Sequence, residues 1–420
     1  MNLSELSQTS ILKLRQDAVD NVFMAEALRL ARKGIFTTHP NPRVGCVLVK
    51  DNKIVGRGWH RKAGGPHAEV HAIRQAGSLA KGACAYVTLE PCSHFGKTPP
   101  CADALINAGV SRVVAAIEDP NPQVAGKGLA LLQAGGIEIK VNVLADEARI
   151  LNKGFIRRME KGIPWVSIKL AMSLDGRTAM ASGESQWITG PQARADVQRL
   201  RAESSAVITG IGTLLHDDAA LTVRAEQFDA NRFDGNVSVV AEDGFDGVSL
   251  GEIIQSQPLR VVMDSNARMP VSSKILETKG PILWVVSEDV KFDENQASIE
   301  SLSFVDVLFL PKRSSAESLQ RVLEYLVSLG CNEILVEAGS TLAGAFFDAG
   351  LWDELVVYMA PKILGSSAKP LLNLPIDKML DAKTLTLKDI RHFGDDIRFT
   401  YKSAALLGSE KSDKTLNAKV

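Results

Sequence analysis

One short stretch followed by two cysteines has the residue types and spacing of a metal site that moves protons. His67 and Glu69 lie in PHAEVHAI, and Cys92 and Cys101 follow in EPCSHFGKTPPC. One imidazole and two thiolates suit zinc, and a catalytic zinc leaves its fourth position to water. Zinc lowers the pKa of that water to about 7, and a neighbouring carboxylate can carry its proton to a leaving group. These residues predict a zinc site with Glu69 as its proton carrier.

The combination is more specific than its parts, since an isolated H-x-E or P-C pair is weak evidence for a site. Zinc deaminases share the order H-x-E, then P-C-x-x-C, with two residues between the cysteines. Here eight residues, 93–100, separate them, which weakens the match to that general pattern. A surface loop between proline-rich turns is the alternative without metal. His71 is expected to be a packing residue, because the cysteines already complete the ligand set.

Local patterns indicate the elements that must position this site. Pro66 and Pro91 precede His67 and Cys92, and proline suits the first turn of a helix. Two helix N-termini, whose positive ends favour thiolate and hydroxide, are therefore expected at the site. Strand and helix patterns alternate over the first ~145 residues, with a hairpin at 50–53, which predicts an α/β sandwich. A helix pattern runs from about 146 to 161, before a boundary marked by glycine and proline.

A second α/β domain is predicted after this boundary. Strand-like runs recur at SAVITG, RVVMDS, PILWVVS, EILVEAG and DELVVYMAP, with helical stretches between several of them. The sequence has no Rossmann fingerprint. Its nearest equivalent is the turn 339–341 after a strand ending at Glu337, where N–H groups and hydroxyls can bind a cofactor phosphate, although such turns also start many ordinary helices. The expected domains are residues 18–162 and 163–403, with a long loop in 225–257 and a disordered tail at 404–420.

The composition excludes several classes of function. The chain has 420 residues, 45% of them hydrophobic, and a net charge of −1, so it lacks the basic surplus that nucleic-acid binding needs. No apolar run approaches the ~18 residues of a membrane span, and the start does not resemble a signal peptide. Five cysteines, an odd number, favour a cytoplasmic protein with free thiols over a disulfide framework.

Both halves of the sequence resemble one family. HPNPRVGCVLV, GRGWH, HAE and EPCSHFGKTPPC are similar to the pyrimidine deaminase half of the bifunctional riboflavin-biosynthesis deaminase/reductase, which shares the eight-residue gap between the cysteines. KLAMSLDGRTA, GESQWITG, GIGTLLHDDAALTVR, VMDS and VEAGSTLAGAFF resemble its reductase half. The resemblance covers residues 18–403. It implies a cytidine-deaminase-like α/β/α sandwich followed by a dihydrofolate-reductase-like α/β domain.

The resemblance also implies two consecutive reactions. Zinc-dependent hydrolysis removes the 2-amino group of 2,5-diamino-6-ribosylamino-4(3H)-pyrimidinone 5′-phosphate as ammonia. NADPH then reduces the ribosyl group of the product, 5-amino-6-(5-phosphoribosylamino)uracil, to ribityl. The partners are therefore phosphorylated pyrimidines, with no nucleic acid and no membrane. A homo-oligomer is expected, because sheet edges of this architecture can pair.

Individual roles follow from the same resemblance, with His67, Cys92 and Cys101 as zinc ligands. The expected cofactor contacts are Ala171, Trp187, Thr213, Asp217, Ser265, Gly339, Ser340, Thr341, Leu342, Ala343, Gly344 and Ala345. The expected substrate contacts are Ser185, Arg201, Leu221, Arg224 and Glu337 in the reductase half, and Asn41, His60, His94 and Lys97 in the deaminase half. Arg201 and Arg224 are expected to clamp a phosphate, since a guanidinium fork matches phosphate oxygens. The proton donor of the reduction stays unassigned.

Two rival functions are disfavoured by the residues. A deaminase of nucleic acid would share the zinc chemistry but needs a basic groove and stacking aromatics, and aromatics make up only 5% of this chain. A zinc-stabilised binding protein would normally supply four ligands. This sequence offers three ligands beside a glutamate, which favours an open catalytic position.

Overall fold

The computed structural model describes residues 8–93, 100–122, 124–227, 250–278, 280–311 and 314–403. The chain divides into two compact units, one of Met1–Gly162 with Ala230–Ile253 and one of Ile163–Asp229 with Ile254–Val420. Both units have the mixed α/β structure expected from the sequence. Within the described part, no helix has the length and apolar character needed to cross a membrane. The expected tail, 404–420, and residues 228–249 of the expected loop lie outside the described residues.

The first unit is built around a five-stranded sheet. Its described elements are α1 (Gln8–Arg32), β1 (Gly45–Lys50), β2 (Lys53–Trp59), α2 (Ala68–Ala76), β3 (Cys84–Val87), α3 (Cys101–Asn107), β4 (Arg112–Ala115), α4 (Lys127–Ala134), β5 (Glu138–Lys140), α5 (Ala145–Leu151) and α6 (Lys153–Lys161). The strand order is β2-β1-β3-β4-β5. β1 is antiparallel to both of its neighbours, and the other pairs are parallel.

Helices cover both faces of this sheet. Cys46 and Leu48 of β1 pack into one core cluster with buried residues of α2, α3 and α4. The alternate residues of a strand face the other side, where a Cβ on Gly45 would lie 2.0 Å from the Ala27 carbonyl oxygen of α1. The α/β/α sandwich expected for this unit is therefore present.

Two details of the first unit test the local patterns. The hairpin at 50–53 is confirmed, with Asp51 and Asn52 both left-handed at φ 51° and 58°, as a tight hairpin turn requires. The helix pattern expected from about 146 to 161 is present as two helices, α5 and α6, which are separated at Asn152. The buried Asn152 side chain accepts from the Arg43 N–H at 2.7 Å and donates to its carbonyl at 2.9 Å. These bonds to the segment that precedes β1 fix the break.

The second unit is built around a nine-stranded sheet. The described elements from β6 onward are β6 (Trp165–Ser173), β7 (Arg177–Ala179), α7 (Pro191–Glu203), β8 (Ala206–Gly210), α8 (Ile211–Asp217), α9 (Leu250–Gln255), β9 (Leu259–Met263), α10 (Lys274–Glu277), β10 (Ile282–Ser287), α11 (Glu294–Glu300), β11 (Val305–Leu310), α12 (Ser315–Ser328), β12 (Glu333–Glu337), α13 (Ser340–Asp348), β13 (Glu354–Ala360), β14 (Lys369–Pro370), β15 (Thr386–Phe393) and β16 (Asp396–Lys402). α9 straddles the division between Ile253 and Ile254.

The order of this sheet is β11-β10-β9-β8-β12-β6-β13-β16-β15. It is parallel from β11 to β13 and antiparallel beyond. The central strand β12 is buried along its whole length. Parallel sheets of this kind bind ligands at the carboxyl ends of their strands, and Glu337 ends β12 at that edge.

Candidate active sites

Three potential metal ligands converge in the first unit. The ligand atoms of His67, Cys92 and Cys101 lie within 4.8 Å of one another. His67 Nδ1 is 3.3 Å from Cys101 Sγ and 3.6 Å from Cys92 Sγ, so Nδ1 is the nitrogen that faces the thiols. The Cys101 N–H also donates to Cys92 Sγ at 3.4 Å. One imidazole and two thiols so arranged fit zinc with one position left for water.

Two helices begin at this cluster. His67 is the N-cap of α2, and Cys101 is the first residue of α3. Cys92 lies instead on a non-helical segment after β3, so the helix start expected at Pro91 is wrong. That segment packs directly against α4, where a Cβ on Gly128 would lie 1.9 Å from the Pro91 carbonyl oxygen. This close contact leaves no room for a helical turn at Pro91.

The electrostatics of the cluster suit metal binding and proton transfer. Glu69 is 3% exposed, and its Oε2 has no hydrogen-bond partner among the described residues. Burial, and next the charge of Cys92, raise the pKa of Glu69. The hydrogen bond with Cys101 lowers the pKa of Cys92 to about 4, and the same interaction raises the pKa of Cys101. One thiol therefore releases its proton readily, beside a carboxyl group that can accept one.

His60 and Asn41 form a polar pair next to the cluster. His60 Nε2 lies 3.1 Å from the Asn41 side-chain nitrogen, and Nδ1 lies 3.2 Å from the Pro66 carbonyl oxygen. Since an amide nitrogen donates and a carbonyl accepts, the ring is neutral with its proton on Nδ1. Burial lowers the pKa of His60 to about 4. Its ring meets that of His67 edge-to-face, with centroids 5.3 Å apart.

The remaining expected residues of the first unit do not join the ligand cluster. His71 lies outside it, with Nε2 buried and without a partner among the described residues. His94 and Lys97, expected substrate contacts, fall outside the residues that the structure describes.

A pocket at the carboxyl edge of the nine-stranded sheet gathers most of the expected reductase residues. Those lining it are Ala171, Ser185, Trp187, Arg201, Thr213, Asp217, Leu221, Arg224, Ser265, Glu337, Gly339, Ser340, Thr341, Leu342 and Ala345. Ala343 and Gly344, also expected to contact the cofactor, do not line the pocket, because α13 turns them toward the interior. Ala343 belongs to the buried core, and a Cβ on Gly344 would lie 2.3 Å from the Asn373 carbonyl oxygen.

A cluster of charged side chains lines this pocket. Glu337 accepts two hydrogen bonds from Arg201, at 2.6 and 3.0 Å, and its Oε2 is 3.6 Å from Lys169 Nζ. Burial acts to raise the pKa of Glu337, but the charges of Arg201 and Lys169 outweigh it and hold that pKa at about 2. Burial, opposed by Glu337, lowers the pKa of Lys169. No role could be assigned to Lys169 from its sequence context, because its pairing in register with Glu337 across β6 and β12 is visible only in the fold.

The expected phosphate clamp of two arginines is not present in this arrangement. Arg201 is paired with Glu337, and its Nη1 also donates a hydrogen bond to the Thr222 carbonyl oxygen at 3.0 Å. Arg224 lies near enough for the charge of Arg201 to add to the effect of burial in lowering the pKa of Arg224. Among the described residues, the Arg224 guanidinium has no hydrogen-bond partner. Arg224, rather than the pair, is therefore available to an anion.

Comparison with known proteins places both units in one family. Residues 17–117 match the family described as the cytidine and deoxycytidylate deaminase zinc-binding region, and residues 164–399 match the RibD C-terminal domain. The riboflavin biosynthesis protein RibD of Escherichia coli is 50% identical over 379 residues, covering 90% of this chain and 98% of that protein. The chain belongs to the RibD family. RibD of Haemophilus influenzae is 49% identical over 383 residues, covering 91% and 97% of the two chains.

Solved structures of similar proteins match most of the chain. RibD of Acinetobacter baumannii matches with a TM-score of 0.80 and 43% identity, covering 92% of this chain and 99% of its own. A Thermotoga maritima protein, described as a diaminohydroxyphosphoribosylaminopyrimidine deaminase/5-amino-6-(5-phosphoribosylamino)uracil reductase, matches with a TM-score of 0.75 and 29% identity over 93% and 100%. Like other RibD proteins, this chain is a bifunctional enzyme of riboflavin biosynthesis. It combines a zinc-binding deaminase domain with a reductase domain, which uses a nicotinamide cofactor.

Proposed function

We propose that the first unit removes an amino group hydrolytically from a phosphorylated diaminopyrimidine, with zinc held by His67, Cys92 and Cys101. The proposal rests on the convergence of three ligand atoms within 4.8 Å of one another, beside Glu69 Oε2, which is buried and has no hydrogen-bond partner among the described residues. Zinc bound there supplies a water molecule acidic enough to act as a nucleophile at neutral pH.

Glu69 moves the proton in this proposal. Its carboxylate takes a proton from the attacking water and delivers it to the amino nitrogen, so that the C–N bond breaks and ammonia leaves as a carbonyl forms. A raised pKa suits this role, because a carboxyl group that titrates closer to neutrality accepts the proton more readily. His60, neutral and hydrogen-bonded on both nitrogens, holds Asn41 in place as a contact for the pyrimidine. His94 and Lys97 remain proposed substrate contacts.

The second unit reduces the deaminated product in this proposal. We assign it 5-amino-6-(5-phosphoribosylamino)uracil as substrate, in keeping with the description of the Thermotoga protein. We assign NADPH as the hydride donor. The N-terminus of α13, with Ser340 and Thr341, offers N–H and hydroxyl donors to a cofactor phosphate. Arg224 binds the substrate phosphate through its unengaged guanidinium.

Reduction of the ribosyl group to ribityl needs a proton as well as a hydride, and Lys169 is the group we assign to supply it. Lys169 lines the pocket, and burial lowers its pKa toward the range in which an ammonium group gives up a proton. Glu337 holds the ammonium group, and Arg201 in turn holds Glu337.

The compartment and assembly of the enzyme extend the proposal. All five cysteines are free, which fits the reducing conditions of the cytoplasm. A homo-oligomer stays a prediction, for which the edge strand β15 offers a pairing surface.

A coupled assay tests the two activities together. The purified chain is given 2,5-diamino-6-ribosylamino-4(3H)-pyrimidinone 5′-phosphate with NADPH or NADH, and ammonia and cofactor absorbance are followed in one sample. We expect ammonia release first and NADPH oxidation after it, with slower oxidation of NADH. Release of ammonia from cytidine monophosphate at an equal rate would contradict the proposed substrate class.

A further inference from the structure

A buried carboxylate outside the ligand set lies two residues before Cys92. Glu90 is 3% exposed. Its two oxygens accept four backbone hydrogen bonds: Oε2 from the N–H groups of Asp119 at 3.0 Å and Gly126 at 3.0 Å, and Oε1 from those of Gly128 at 2.8 Å and Leu129 at 3.3 Å. All four donors lie on the segment that joins β4 to α4 and opens that helix. One side chain thus fastens residues 119–129 to the strand end that leads to the metal ligand.

The chemistry of this contact is specific to a carboxylate. An ionised carboxyl group offers acceptors on both oxygens and no donor, so it can satisfy four N–H groups at once. Hydrogen bonds to such a group are shorter and stronger than neutral ones. A backbone hydrogen bond strengthens this contact: the Glu90 N–H donates to the Ile117 carbonyl oxygen at 3.0 Å.

The neighbouring contacts leave Cys92 little freedom. The Pro91 carbonyl oxygen packs directly on Gly128, where a Cβ would lie 1.9 Å from it. On the other side, the Cys92 carbonyl accepts from the Ala102 N–H at 3.1 Å, and its Sγ accepts from the Cys101 N–H at 3.4 Å. The segment that carries the thiol is therefore fixed from both directions.

We propose that Glu90 is a positioning residue for the metal centre. It locks Pro91 and Cys92 against residues 119–129, and so sets where the Cys92 thiolate lies relative to His67 and Cys101. The inference rests on the proposed ligation of zinc by these three residues.

The variant Glu90→Gln tests this directly, because it turns one acceptor oxygen into an NH₂ group facing two N–H donors. Zinc affinity of the full chain is measured by competition with a chromogenic chelator, and the geometry by the absorption spectrum of the cobalt(II)-substituted chain. Loss of an outer partner of a metal ligand costs about 10- to 100-fold in affinity. We expect a zinc Kd weakened to that extent, a shifted thiolate-to-cobalt band and a lower kcat for ammonia release.

The reductase reaction and a second buried acid provide the controls. The KM values for the reductase substrate and for the cofactor are expected to stay unchanged in Glu90→Gln, since both bind in the other unit. Asp20 is also fully buried in the first unit, where it bonds to Arg112 and Lys140. Asp20→Asn is expected to lower the Tm but to leave zinc affinity and the cobalt spectrum as in the wild type.

Gly128→Ala disturbs the same contact while Glu90 keeps its carboxylate, since the added Cβ would lie 1.9 Å from the Pro91 carbonyl oxygen and 3.1 Å from Glu90 Oε1. This variant decides the matter where Glu90→Gln fails to fold. Weakened zinc binding with a shifted cobalt spectrum supports the proposal. Wild-type zinc Kd and cobalt spectrum in either variant overturn it, as does an equal loss in Asp20→Asn. Failure of the wild-type chain to bind one equivalent of zinc would contradict the proposed function instead.

Discussion

At the scale of single residues, Glu69 allows the proposed metal binding and the proposed catalysis to be tested separately, because it lies beside the three potential ligands and is not one of them. Glu69→Gln preserves the size of the side chain but removes its capacity to carry a proton. We expect kcat for ammonia release to fall by about 10²- to 10⁴-fold, with zinc content unchanged by metal analysis. The exposed Glu118→Gln serves as control and is expected to react at the wild-type rate. A fully active Glu69→Gln enzyme would exclude the assigned role.

In the proposed function, phosphate recognition in the reductase pocket depends on Arg224. Arg224→Ala removes charge-assisted hydrogen bonds worth about 1.5–3 kcal/mol. The KM for the phosphorylated substrate is expected to rise about 10- to 100-fold with little change in kcat, and the preference over the dephosphorylated compound to shrink in steady-state assays. Arg321→Ala, an exposed arginine of α12 outside the pocket, is the matched control. An unchanged KM in Arg224→Ala would refute the phosphate contact.

His60 makes the stability of the first unit depend on pH. Its pKa of about 4 in the folded chain lies below the ordinary 6.5, so between these values the unfolded chain binds the extra proton. The free energy of unfolding therefore falls as the pH drops from 6.5 toward 4. We expect the wild type to lose about 3 kcal/mol more than His60→Gln over this range.

Urea unfolding at several pH values, in one zinc buffer, measures this difference. The zinc ligands are common to both proteins, so their own protonation largely cancels in the comparison. Parallel pH curves for the two proteins would show that His60 already titrates normally when folded.

At the scale of elements, the site depends on how closely α2 approaches β2. A Cβ on Gly58 would lie 2.0 Å from the Ala68 carbonyl oxygen, so α2 can rest on the strand only above glycine. Gly58→Ala is expected to push away the helix start that carries His67 and Glu69, and to destabilise the first unit by about 1–3 kcal/mol. Zinc affinity and ammonia release should both fall, while the reductase rate persists. Retention of wild-type zinc affinity would show that the helix tolerates the shift.

Elements are predictable from sequence where local patterns determine them. The hairpin at 50–53 and the helix opened by His67 follow from turn residues and apolar spacing. The break at Asn152 could not be predicted, because its cause is a pair of hydrogen bonds to Arg43, more than a hundred positions earlier. The helix start expected after Pro91 is absent, because the packing of this segment on Gly128, far along the chain, is not visible in the local pattern.

At the scale of the whole molecule, the two activities use separate units and separate chemistry. Removing zinc with a chelator is expected to abolish ammonia release and to leave NADPH oxidation unchanged when the deaminated compound is supplied directly. The same sample, reloaded with zinc, should regain ammonia release. The two rates are read by ammonia assay and by cofactor absorbance. A parallel loss of both activities would mean that the reductase also depends on the metal.

The three proposed zinc ligands could be predicted from the sequence, because residue types and spacing single them out, and the structure brings their ligand atoms together. The arrangement of the reductase pocket could not be predicted, because its charges pair between elements distant in the chain. Arg201 appears from sequence as a phosphate ligand, yet it is held by Glu337, 136 positions away. The same holds for Lys169, and for Glu90, whose four donors come from a later connection. Sequence motifs thus identify the residues that take part, and the order of strands in the sheet determines which of them come into contact.

The sheet order also has a consequence for the synthesis of the protein. β6 lies between β12 and β13, so its first residues leave the ribosome long before either neighbour exists. The sheet of the first unit pairs strands close in sequence, and every one of its strands has been made by Lys140. The reductase pocket must wait for nearly the whole chain, since distant pairing is slow. A nascent chain halted before β12 would therefore expose an apolar strand without partners, and this is the stage at which we expect chaperones to be needed most.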